Sequence, residues 1–83
     1  MDSLKFMGKV DERRKAAGLG IVQFCDTIHI SRQRYHALLT GKYNPSVKII
    51  WLLYSFFHDS GDAVGVNLIA EYMFGENVSI TVK

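Results

Sequence analysis

Only His29 and Ile30 lie between one apolar-patterned segment ending at Ile28 and the next opening at Ser31. Two residues leave no room for an extended connection, so two short helices must meet there at a tight turn. The first runs from Gly20 or Ile21 to Ile28 and is expected to bury Phe24, Cys25 and Ile28. Ser31 suits the N-cap of the second, because its hydroxyl can accept from an early helical amide. Ile30 before the cap and Tyr35 at the fourth helical position make a hydrophobic staple. Tyr35, Leu38 and Leu39 share the expected inward face. Gln33 and Ala37 point the opposite way, with Arg34, His36 and Thr40 on the flanks and Arg32 flaring from the first turn.

The other segments must close a core around this pair. Phe6, Val10 and Ala17 recur at helical spacing, with Arg13 in the remaining place, and predict a first helix over about 3–17 stopped by Gly18. Asn44-Pro45-Ser46 breaks the chain, and Ser46 caps a fourth helix expected through about Phe57. Its apolar residues fall on nearly every side, so it is expected at the centre of the core, with Trp51 the largest single burial. After Asp59-Ser60-Gly61-Asp62 a fifth helix is expected from Ala63 to Phe74. In the tail, 76–83, Val78-Ser79-Ile80-Thr81-Val82 alternates. It reads equally as a short β-strand, which would need a strand from a second chain, or as extended coil. The expected fold class is all-α, one five-helix domain over 1–83, with the short C-terminal strand left open.

Eighty-three residues give such a domain little stability to spare, yet 48% of them are hydrophobic, enough to leave apolar surface for a partner. The longest apolar run, Ile49 to Leu53, is far short of the ~20 residues of a membrane span. No leader-like segment is evident, and the single Cys25 fits a reducing compartment, so the chain reads as cytoplasmic. His29, His36 and His58 lack the spacing and cysteine pairs of a zinc site. No phosphate-cradling glycine motif, activated nucleophile or acid/base pair is present. The expectation is therefore a non-enzyme with no cofactor and no metal.

Charge carries more information than composition. The net value is only +2, but no acidic residue occurs between Asp26 and Asp59, while Arg32, Arg34, Lys42 and Lys48 fall inside that interval. After Lys48 the only cation is Lys83, against Asp59, Asp62, Glu71 and Glu76. A basic middle and an acidic final third orient a protein on a polyanion. The early cluster of Lys5, Lys9, Arg13, Arg14 and Lys15 is mixed with Asp11 and Glu12 and reads as a solvated helix face.

The stretch Leu19 to Phe57 resembles the lambda-repressor-like (Cro/xenobiotic-response-element type) helix-turn-helix family, in register and without a gap. Phe24, Cys25 and Ile28 stand at its buried helix-two places, Ile30 and Ser31 at its turn and cap, and Tyr35 and Leu38 on its recognition-helix core face. Gly41-Lys42-Tyr43-Asn44-Pro45 is similar to its closing loop. The resemblance implies a helix-turn-helix over about 20–40 that binds double-stranded DNA through the major groove, in a small repressor or Cro-like switch acting by operator occlusion. Arg32, Gln33 and His36 then match base-contacting places, Arg34 a flank that takes base or phosphate, and Ala37 a thymine-methyl contact. Thr40, Lys42, Tyr43 and Asn44 match phosphate-contacting places. The chain differs from the family at Gly20 and Ile21, where glutamine is common, at His29, where the turn usually has glycine, and at Leu39, where glutamate is frequent. His29 is thereby expected in a left-handed conformation.

A homodimer is the further expectation. Val64, Leu68 and Tyr72 mark one face of the fifth helix and Val66, Ile69 and Met73 another, and the core needs only one. The spare face and Val78–Val82 would meet a twin subunit. The competing expectation is a helix-turn-helix-derived protein-interaction module of mobile-element origin, docking through Ile21, Val22 and the fifth helix.

Overall fold

The computed structural model describes residues 1–75, and these form five helices and no strand. They are α1 (Ser3–Ala16), α2 (Ile21–Ile28), α3 (Arg32–Leu39), α4 (Val47–Asp59) and α5 (Ala63–Phe74). The all-α expectation therefore holds across the described residues. The proposed Val78–Val82 strand lies outside them.

Short polar side chains start four of the five helices. Asp2, Ser31, Ser46 and Asp62 each accept a hydrogen bond from the amide three residues on, which satisfies one otherwise orphaned donor. Gly20 opens α2 without a side-chain cap. Between α2 and α3, His29 sits at φ 59°, ψ 41°, the left-handed conformation expected of it. The Ile30 amide donates to the Cys25 carbonyl at 3.1 Å, closing the end of α2 before Ser31 begins α3.

The core joins Phe6, Met7 and Val10 of α1 to Phe24, Cys25 and Ile28, then Tyr35 and Leu38, then Ile49, Ile50, Leu53 and Phe57, and finally Val66, Leu68 and Ile69. α5 lies against both α4 and α1, and α1 also reaches α3. Gly65 makes the α4–α5 approach possible, because a Cβ there would run into the Phe57 ring.

Several expected inward positions are corrected. Trp51 is 63% exposed, so α4 is not buried all round. Its core residues are Ile49, Ile50, Leu53 and Phe57, confined to one side. On α1 the inward positions are Phe6, Met7, Val10 and Arg14; Ala17 is exposed and Arg13 only partly buried. Arg13 instead extends to Asp62 at the start of α5, with Nε and a terminal nitrogen each 3.0 Å from a carboxylate oxygen. On α3, Ala37 is buried and Leu39 only half-buried. α5 has no spare apolar face: Val66, Leu68 and Ile69 are all buried and Tyr72 stacks on Phe6 at 4.2 Å. Only Val64, Met73 and Phe74 among its large apolar residues remain exposed. No helix among the described residues is long and apolar enough to cross a membrane.

Candidate nucleic-acid interface

The exposed edge of α3 follows from what its other side must bury. Tyr35 and Leu38 sit in the core, and Ala37 is tucked beneath the surface, which turns Arg32, Gln33, Arg34 and His36 to solvent. The Arg34 amide donates to the Ser31 hydroxyl at 3.1 Å, fixing the first turn. At the other end Gly41, with φ 79°, reverses the chain, and the Lys42 amide donates to the Ala37 carbonyl at 2.9 Å. The loop from Gly41 to Ser46 is thereby folded back beside the helix it has just left.

Between loop and helix runs an open groove of about 600 Å³. Gln33 and Arg34 line one wall, and Lys42, Tyr43 and Asn44 the other. Ala37, Leu38 and Ile49 supply its apolar lining, and Ser31 and Ser46, the caps of α3 and α4, border it. Two helix N-termini at its margin add partial positive charge to that of Arg34 and Lys42. No carboxylate lines it, and among the described residues Arg32, Arg34 and Lys42 have no ion-pair partner.

Of the eight site residues expected from sequence, Gln33, Arg34, Lys42, Tyr43 and Asn44 come together in this groove. Arg32, His36 and Thr40 are exposed but lie outside it. The Thr40 hydroxyl donates to the His36 and Ala37 carbonyls at 3.1 and 3.3 Å, so it tightens the helix end while its oxygen can still accept. Ala37, expected to face outward for a thymine methyl, is instead in the groove lining at 8% exposure. One methyl group is too short to project past Gln33 and Arg34.

Two supports of this edge escaped the sequence. The Ser3 hydroxyl donates to Asn44 Oδ1 at 2.7 Å, which leaves the Asn44 amide hydrogens for another acceptor. Leu4 stands 3.5 Å from where a Gly41 Cβ would lie, so the start of α1 braces the loop from behind. Beneath α3, the buried Tyr35 hydroxyl donates to Asp11 Oδ1 at 2.8 Å. Arg14 holds the same carboxylate through Nε at 2.7 Å and donates another hydrogen to the Leu19 carbonyl at 2.7 Å. One carboxylate therefore ties α1 to α3 and, through Arg14, to the lead-in of α2. The Arg14 guanidinium holds the Asp11 carboxyl below its usual range, against the opposing effect of partial burial. Burial, reinforced by Asp11, pushes the Tyr35 phenol well up, so it stays a donor. A buried tyrosine was the available signal, since its hydroxyl requires a partner.

Burial also raises the Cys25 thiol, which removes it as a ready nucleophile. Among the described residues no group of three or more His, Cys, Asp or Glu side chains is placed to hold a metal ion. No protein-family model, curated protein or solved structure matches the chain.

Proposed function

We propose that this protein is a sequence-specific double-stranded DNA-binding regulator of lambda-repressor-like, helix-turn-helix type, acting as a small repressor or Cro-like switch by occlusion. The observation carrying the reading is that Gln33 and Arg34 of α3 share one acid-free groove with Lys42, Tyr43 and Asn44. A duplex presents base edges a few ångströms from a phosphate rail, so a reader needs both kinds of donor on adjoining walls. Arg32 pairs with guanine and Gln33 with adenine, each good bidentate contact contributing about 1–3 kcal/mol of discrimination. His36 adds a third base-edge contact, and Arg34 takes base or phosphate. Thr40, Lys42, Tyr43 and Asn44 hold the backbone. The uncapped first turn of α2 at Gly20 gives the phosphate rail a further amide contact.

Selection from a random duplex library at two salt concentrations, then anisotropy on the winning sequence, tests this. The expected result is an enriched motif whose log affinity falls with log salt by about 0.9 per neutralised phosphate. A library that enriches nothing at either concentration sinks it.

A protein-docking module is the second reading, favoured by one observation. Ile21 and Val22 are 42% and 52% exposed at the start of α2, where a phosphate gains nothing from them. Binding by that surface would change little with salt, which separates the two readings in the same titration.

A further inference from the structure

α4 carries two of the chain's most exposed large apolar side chains, Val47 and Trp51. Val47, Trp51, Tyr54 and His58 form one stripe along the helix, with Val47 79% and Trp51 63% exposed. Trp51 stacks on Tyr54 at 5.8 Å and Tyr54 on His58 at 5.7 Å, so the rings form a preset ladder. Their spacing of four, three and four residues is that of a seam by which one helix packs along another.

We propose that this stripe is a self-association surface, on which α4 of a second copy of this chain packs antiparallel about a two-fold axis. The argument for a second copy is symmetry. Four-three-four reads the same in both chain directions, so reversal sets Val47 against His58 of the partner and Trp51 against Tyr54 of the partner. The stripe contains no lysine, arginine or carboxylate, so like meets like without repulsion. Its flank is charged in the complementary sense. Lys48 near the start of α4 and Asp59 at its end are exposed on one side of the stripe. A two-fold axis keeps that flank on the same side in both copies while reversing it end to end. Lys48 of each copy thereby comes beside Asp59 of the partner. The seam is only about 16 Å long and covers less than the ~800 Å² per partner of a standard interface, so the dimer is weak and concentration-dependent. This inference does not depend on DNA binding.

Sedimentation equilibrium of the full chain over a concentration series is the test, read beside the emission of Trp51, the sole tryptophan. The mass should rise from 9.4 kDa towards twice that as the emission shifts to the blue. Trp51→Glu should weaken association about a hundredfold or more, since both copies lose a central aromatic anchor. It should leave the helical circular dichroism intact, because Trp51 is outside the core. Lys48→Glu and Asp59→Lys should each weaken it about tenfold, and the double exchange should restore it. A chain monomeric at every concentration overturns the proposal. A dimer indifferent to Trp51→Glu, or charge exchanges that fail to compensate, overturns it too.

Discussion

His29 is the residue whose backbone does most against its own preference. At φ 59° an L side chain crowds its neighbouring carbonyl, and the turn between α2 and α3 holds it there. His29→Gly removes that crowding and should stabilise the fold by about 0.5–1 kcal/mol, visible as a rise of a few degrees in Tm. The exposed edge of α3 divides by chemistry in the same residue-by-residue way. Under the DNA-binding proposal, Arg32→Ala should relax preference at one base pair of the bound site and leave the salt slope nearly unchanged. Lys42→Ala should weaken binding to all duplexes alike and flatten the slope by about one phosphate, as a competition titration would read. If both variants bind every duplex as tightly as the parent chain, these roles are wrong.

At the scale of elements, the packing of α4 on α5 depends on one missing Cβ. Gly65→Ala would force the methyl into the Phe57 ring, which is fully buried. Overpacking of that kind typically costs about 1–3 kcal/mol, and thermal unfolding should show it. An unchanged Tm would mean that the two helices slide apart at little cost. The limits of the helices were legible in the sequence to within about two residues, α4 running on past Phe57 to Asp59, because capping side chains, glycines and the single proline mark most of them locally. Which side of each helix faces inward was legible only in part. Phe24, Cys25, Ile28, Tyr35 and Leu38 sit where their spacing put them, since α2 and α3 each have one apolar stripe. α4 is apolar on most of its circumference, so periodicity does not select the buried arc. Its neighbours do, and they leave Trp51 outside.

For the whole molecule, two carboxylates couple stability to pH. Partial burial pushes the Asp62 carboxyl up, but the Arg13 guanidinium and the Gly65 amide outweigh it, and the net shift is downward. Asp11 is likewise lowered, chiefly by Arg14. A carboxyl whose folded pKa lies below its unfolded value stabilises the fold above the unfolded value, near 4, and loses that contribution as pH falls through the folded one. Tm should therefore hold level from about pH 7 to 5 and drop on further acidification. Asp11→Asn should lower the plateau and make the acid drop shallower, and a drop of undiminished size in that variant would show that other groups cause it. Both pairs link α1 to distant parts of the chain, Arg13 to Asp62 and Asp11 to Tyr35. Acid should thus loosen α1 from α5 and α3 together.

The sequence alone determined five helices, the tight turn at His29 and the acid-free middle of the chain, because these depend on neighbours within a few positions. It also placed Arg32, Gln33, Arg34 and His36 on an exposed edge, since Tyr35 and Leu38 had to face the other way. Only the tertiary structure decided that Arg14, not Arg13, turns inward, that Ala37 is covered, and that Ser3 braces Asn44. Each of those outcomes depends on which helix lies opposite, and contacts between residues far apart along the chain leave no trace in local spacing.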